Sequence, residues 1–197
     1  RKGLNSEKLE ELVFDAALVD AYSDSSKKSE QEVTIYSGNN ADSFASTFAA
    51  HFGYSAADIR GKKLSGNDIY LVNAVQKGET SAAFNSLGYL FDIETRERKN
   101  GLALLPLDLK KDQQEVLKSS NIDQTIALLE KENIPLIPVE YIGFTYQGGN
   151  ESAKRFLNWI LEEGQKYNQE FGFLKADPEL LAAQLKATQE PHYTTVD

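Results

Sequence analysis

Apolar residues recur at spacings of three and four in several stretches of the chain, and in short β-branched or aromatic runs between them. Leu9, Leu12, Val13, Ala16, Ala17 and Ala21 form one stripe, which predicts a helix over 6–22 with Ser6 as its N-cap. Residues 23–32 carry no apolar side chain and read as a solvated loop. Val33-Thr34-Ile35-Tyr36 predicts a strand, Ser37-Gly38-Asn39-Asn40 a turn, and Phe44, Phe48 and Phe52 a helix. That helix is expected to start within two residues of Asn40 and to stop at Gly53.

Ile69, Val72 and Val75 predict a helix over 68–76 that Gly78 ends. Short strands are expected over 81–85 and 102–105, and a helix over 122–131. Val139 to Tyr146 reads as a strand weakened by Gly143. After Asn150, a cap residue, comes the strongest periodicity: Ala153, Phe156, Leu157, Ile160, Leu161 and Tyr167. That face is expected to be the main buried buttress of the core. Pro178 opens a last helix carrying Leu180, Leu181 and Leu185. Alternating strands and helices predict a layered α/β fold.

Composition narrows the function classes. The chain has 197 residues, enough for one large domain or two small ones, and no cysteine. Disulfides, thiolate nucleophiles and cysteine metal sites are therefore excluded. A formal net charge of −9 argues against a nucleic-acid partner, which needs clustered Lys and Arg. A small anion remains compatible, because neutral backbone N–H groups at a helix start can hold one. No apolar run approaches the roughly 18 residues of a membrane span. The chain opens on Arg1 without a signal peptide, so a processed chain or a piece of a longer one is expected.

The strand–turn–helix unit over 33–52 is the best place for chemistry. A helix N-terminus leaves N–H groups unpaired and favours negative charge. Gly38 permits close backbone approach, and Ser37, Asn39 and Asn40 offer neutral donors. The plain alternative is a capped turn. Asn67, in Gly66-Asn67-Asp68 ahead of the next helix, has the same two readings, and Asn85-Ser86 beyond a predicted strand is a weaker contributor. Ligand-binding candidates are thus Ser37, Gly38, Asn39, Asn40 and Asn67. No catalytic or metal constellation is evident, and no cofactor is expected: His51 and His192 are far apart, and Glu162 and Glu163, being adjacent on a helix, do not face each other.

Two stretches carry a family likeness. Leu87-Gly88-Tyr89, Phe91-Asp92, Thr95, Gly101 and Leu105-Pro106-Leu107-Asp108 form one; Phe156, Trp159-Ile160-Leu161, Gly164-Gln165-Lys166 and Gly172-Phe173 form the other. Together with Gly3-Leu4-Asn5-Ser6-Glu7-Lys8-Leu9, they resemble the phosphate-type periplasmic solute-binding proteins of ABC importers. The resemblance implies an α/β, type II periplasmic-binding-protein lobe with a mixed sheet flanked by helices. It implies a second lobe over about 1–135 and a C-terminal return segment over about 136–197, without the first lobe's opening strands. It also implies an extracytoplasmic location, periplasmic or as a surface lipoprotein, a permease partner and a bound oxyanion such as phosphate.

The ligand turn departs from the family pattern. Relatives carry Ser-Gly-Thr there; here the match is Gly38-Asn39-Asn40 or Ser37-Gly38-Asn39, and the Thr is missing in both registers. An Arg four residues before the Ser is replaced by Val33 or Thr34, which removes the natural bidentate clamp on phosphate. A degenerate module, serving protein interaction or sensing without a small ligand, is therefore the alternative expectation.

Overall fold

A computed structural model describes residues 3–14, 34–39, 43–146 and 149–189. The helix expected over 6–22 falls partly outside these residues, and the loop expected over 23–32 falls wholly outside. The chain divides into two compact units, Arg1–Glu140 and Tyr141–Asp197.

The first unit is α/β. Its helices are α1 (Ser6–Val13), α2 (Phe44–His51), α3 (Ile69–Gln76), α4 (Leu87–Leu90), α5 (Lys111–Lys118) and α6 (Ile122–Lys131). The strands β1 (Ile35–Gly38), β2 (Lys62–Leu64) and β3 (Ala82–Ala83) form one sheet in the order β2-β1-β3. Both pairings are parallel, with Tyr36 opposite Lys62 and Ala83. The sheet among the described residues is thus purely parallel, where a mixed one was expected. Each strand is followed by a helix, and such a crossover returns the chain in the same direction.

Strand β1 lies between its neighbours, so its backbone is bonded on both edges. Ile35, Ser37 and Gly38 are buried, as a central parallel strand requires. Gly61 makes this pairing possible. Its φ is +86°, and a Cβ there would sit 2.0 Å from the Ile35 carbonyl oxygen. Only glycine lets β2 begin that close to β1.

The main core joins α1, β1 and α2: Leu9, Val13, Phe14, Ile35, Ala45, Phe48, Ala49 and Ile59. Phe14 is fully buried and stacks on Tyr54 with ring centroids 4.0 Å apart. Phe48 meets Phe52 at 4.9 Å and Phe84 at 4.6 Å. The backbone around Phe14 is also tied: Arg60 N–H donates to the Val13 carbonyl at 2.7 Å, and the Arg60 guanidinium donates to the Phe14 carbonyl. A second cluster, Leu117, Leu128 and Ile134, closes α5 and α6.

Several boundaries differ from the sequence reading. Asn5, not Ser6, caps α1, its Oδ1 accepting from Lys8 N–H at 3.1 Å. Ser6 instead donates to Glu10 Oε1 at 2.8 Å. In α3 the buried residues are Leu71, Val72 and Ala74, a face rotated from the Ile69–Val72–Val75 stripe. Residues 102–105 form no strand; the only pairing nearby is the isolated bridge of Leu4 with Leu107. Helix α5, with six of its eight residues charged (Lys111, Asp112, Glu115 and Lys118) or amide (Gln113 and Gln114), has too few apolar positions to stand out in the sequence. By contrast α6 runs from Ile122 to Lys131 as expected, capped by Asn121, whose Oδ1 accepts from Gln124 N–H.

The second unit contains α7 (Glu151–Leu161), 3₁₀ turns at Glu163–Tyr167 and Gln169–Phe171, and α8 (Pro178–Gln189). Asn150 caps α7 and Pro178 begins α8, as expected. Thr188 Oγ1 donates to Asn158 Oδ1 at 2.7 Å, joining the two helices. Gln165 holds the turns, accepting from Asn168 Nδ2 and from Ala176 N–H. The strand expected over 139–146 is absent: residues 139–146 are neither helix nor strand.

The expectation that α7 buttresses the core is overturned. No α7 residue is fully buried, and Phe156 is 56% exposed. Periodicity identifies an apolar face but does not say what covers it.

Phe14→Ala is expected to destabilise the first unit by about 3–5 kcal/mol, and Phe156→Ala by about 0.5 kcal/mol or less. Urea unfolding followed by far-UV circular dichroism checks both. Trp159, the single tryptophan, reports on the second unit by fluorescence, so the two units can be followed separately.

Candidate functional site

In a parallel sheet all strands end on the same side, and the helices that follow begin there. Ligands of α/β sheets bind beyond these carboxyl ends. Here the ends of β1, β2 and β3 bring together Ser37-Gly38-Asn39, Ser65-Gly66-Asn67-Asp68 and Phe84-Asn85-Ser86. These three short segments lie far apart in sequence. Their assembly is a consequence of strand order alone.

The structure places Ser37 and Gly38 inside β1, not in a turn after it. Pairing with β2 draws them in, Ser37 opposite Lys63 and Gly38 opposite Leu64. Helix α2 begins at Phe44 with Ser43 as N-cap, later than the expected start near Asn40. Ser43 is itself a cap-forming residue, and it directly precedes the first apolar position of the helix. Asn40 lies outside the described residues.

Ser37 is fully buried, and its Oγ has no hydrogen-bond partner among the described residues. Asn85, partly buried at the exit of β3, likewise has a buried Oδ1 without a partner among the described residues. Buried polar atoms are nearly always satisfied, so two orphans at adjoining strand ends call for an explanation. Gly38 allows a tight approach. A Cβ there would lie 2.8 Å from Ser43 Cβ and 3.4 Å from Asp68 Oδ1.

The other polar groups are largely engaged with one another. Asn39 N–H donates to the Leu64 carbonyl at 3.1 Å, and Asn39 Nδ2 donates to Ser65 Oγ at 2.8 Å. Asn39 therefore ties the exit of β1 to that of β2. Asn67 Oδ1 accepts from Ile69 N–H at 2.9 Å, a turn just ahead of α3, whose N-cap is Asp68, and from Tyr89 Oη–H at 3.1 Å. Asn67 was open in the sequence to a cap or a ligand role; the N-cap of α3 is Asp68, and the Asn67 carbonyl oxygen is used within the protein. Ser43 and Ser46 share a hydroxyl contact at 3.3 Å.

Sequence reasoning missed three residues. Asp68 borders Gly38, Ser43 lines the same space, and Tyr89 anchors Asn67. For Tyr89 a signal was present in the Leu87-Gly88-Tyr89 run, which here forms the single-turn helix α4.

Perturbed carboxyls lie elsewhere and serve turns. Hydrogen bonds from the Ser55 hydroxyl and N–H hold Asp58 below its ordinary carboxyl range. The Thr95 N–H, assisted by its hydroxyl and Glu94 N–H, does the same for Asp92. An open depression of about 570 Å³ is lined by Asp108, Lys110, Gln113, Glu132 and Pro135, among others. Two of its charges are paired, Glu132 accepting from Gln113 Nε2 at 2.7 Å and pairing with Lys110 at 3.7 Å. His51 is occupied by the Pro135 carbonyl at 2.6 Å. No group of three metal-ligating side chains occurs, and no helix is long and apolar enough to cross a membrane, among the described residues.

An orphan hydroxyl can be deleted without losing a bond. Ser37→Ala is expected to leave the unliganded protein unchanged or stabilise it by up to about 1–3 kcal/mol. Gly38→Ala is expected to cost about 1–3 kcal/mol, because the added methyl overlaps Ser43. Urea midpoints compare the two; a loss of stability in Ser37→Ala equal to that in Gly38→Ala would show that the hydroxyl is bonded.

Compared with known proteins, the chain matches no family model, no curated protein and no solved structure.

Proposed function

We propose that this chain is a lobe of an extracytoplasmic solute-binding protein, one that serves an ABC importer and takes a phosphate-like oxyanion without covalent chemistry. The observation that carries this reading is the buried Ser37 Oγ, without a partner among the described residues, at the carboxyl end of the central parallel strand. An oxyanion is rich in acceptors and would give that hydroxyl its bond. Helices α2 and α3, each of eight residues, begin beside it, and their aligned peptide dipoles favour negative charge. Gly38 lets Ser43 and Asp68 approach the end of β1 closely, and the bonds of Asn67 engage its Oδ1, leaving its amide N–H groups for a ligand.

Asp68 restricts the ligand. Its carboxylate stands beside Gly38 and repels a fully deprotonated anion. An oxyanion that retains a proton, such as monohydrogen phosphate, can donate to it instead. Sulfate at neutral pH carries no such proton.

The second reading is a degenerate module that has kept the fold and lost the ligand. It is favoured by the bonds that Asn39 and Asn67 make within the protein, which consume part of the donor set. The Arg clamp of the resembled family is also missing at Val33 or Thr34.

The two readings separate by titration. Isothermal calorimetry of this chain with phosphate is expected to give a dissociation constant of millimolar order or weaker, about 4 kcal/mol of binding. Binding is expected to weaken in Ser37→Ala and to be undetectable with sulfate. Heat that saturates identically in Ser37→Ala moves the site away from β1. Absence of any phosphate heat, in a sample whose circular dichroism shows it folded, favours the degenerate module. Micromolar affinity would mean that the clamp is dispensable.

A further inference from the structure

We propose that the ligand is a phosphorylated sugar, whose ring lies on Tyr70 while its phosphate enters at β1. The phosphate is the oxyanion of the reading above, on which this depends. Tyr70 stands in the first turn of α3, just after its N-cap Asp68. It is 60% exposed, and no other tyrosine or phenylalanine of the first unit is exposed among the described residues. Its ring is held on one side: Cε2 and Cδ2 lie 3.3 and 3.5 Å from where a Cβ of Gly66 would be. Gly66 has a φ of +112°, a conformation open to glycine, so bare backbone forms the seat of the ring. Tyr70 N–H donates to the Asn67 carbonyl at 3.0 Å, which fixes the turn that carries it. An aromatic ring supported on one side and open to solvent on the other thus stands at the edge of the anion site.

Two features select a sugar phosphate over a bare anion. The first is an excess of acceptors. Asn85 Oδ1 has no partner among the described residues. A phosphate oxygen is itself an acceptor and cannot satisfy it, whereas a hydroxyl donates and can. Asp68, beside Gly38, is a further acceptor on the same rim. A phosphate monoester has lost most of its last proton at neutral pH, its second pKa being about 6. The donors for these acceptors must then come from the rest of the ligand, and the hydroxyls of a sugar supply them. The second feature is the ring. The π face of tyrosine is electron-rich, and the C–H bonds along one side of a sugar present positive charge to it. Inorganic phosphate has nothing to place on Tyr70. Donors for the phosphate, acceptors for the hydroxyls and an aromatic wall together make the usual lining of a small-molecule site.

Isothermal calorimetry at neutral pH compares inorganic phosphate, glucose and ribose each phosphorylated on the primary hydroxyl, and glucose itself. At least one sugar phosphate is expected to bind about tenfold or more tighter than inorganic phosphate, and glucose is expected to give no heat. Tyr70→Ala is expected to remove that advantage while leaving inorganic phosphate unchanged, and Tyr70→Phe, which keeps the ring, to retain it. Circular dichroism shows that both variants are folded. The proposal is overturned if neither sugar phosphate exceeds inorganic phosphate, if glucose binds as well as its phosphate, if Tyr70→Ala weakens phosphate and sugar phosphate alike or leaves the advantage intact, or if Tyr70→Phe loses it. Such a failure leaves the anion site standing when inorganic phosphate still gives heat that Ser37→Ala reduces. Absence of heat from every compound overturns both readings together.

Discussion

Strand β1 must satisfy its backbone on two edges and bury both of its faces at once, and the first unit is arranged around that requirement. Pairing with β2 depends on Gly61, whose missing side chain lets the Ile35 carbonyl approach. Burial of Ile35 depends on the aromatic cluster of Phe14, Phe48 and Phe84 and on the small residues Ala45 and Ala49 of α2. Small residues are needed there because a helix can lie close to a sheet only where its contact face is thin. The two requirements meet at Ser37 and Gly38, which pairing holds in the strand and burial removes from water.

The same requirement creates the candidate site. Once β1 is central and the strands are parallel, the starts of α2 and α3 and the exits of β2 and β3 converge on its carboxyl end. Most polar groups there bond to each other and act as struts: Asn39 with Ser65, Asn67 with Ile69 and Tyr89. Ser37 Oγ and Asn85 Oδ1 remain without partners among the described residues. A site differs from a well-capped loop in such leftover capacity, and here it is small. Asp68 adds a fixed negative charge beside it.

The second unit follows different physics. Its helices and turns are held by polar joints, Thr188 to Asn158 and Gln165 to Asn168 and Ala176, and Trp159 of α7 stacks on Tyr167 of the following turn. Large apolar side chains stay on its surface, including Tyr141, Ile142, Phe144, Phe156 and Phe171. Exposed apolar surface of this extent marks an interaction face more often than an isolated monomer surface.

Local chemistry made much of this legible in the sequence. Asn150 caps a helix because its side chain reaches the third N–H, Pro178 begins a helix because its φ is already set, and Gly53 and Gly78 end helices at positive φ. The α/β class followed from alternating periodicities, and Ser37, Gly38, Asn39 and Asn67 were drawn from turn and cap chemistry near strand ends. What only the tertiary structure decided was every question of what lies opposite. Strand β1 ends at Gly38 because β2 pairs that far, α3 buries Leu71 and Ala74 because its neighbours stand on that side, and the apolar stripe of α7 stays half-exposed. Asp68 and Tyr89 enter the site from distant positions for the same reason. Caps, turns and periodicity act over a few residues and are written where they act. Pairing and burial join residues tens of positions apart, and a single sequence records one partner without naming the other.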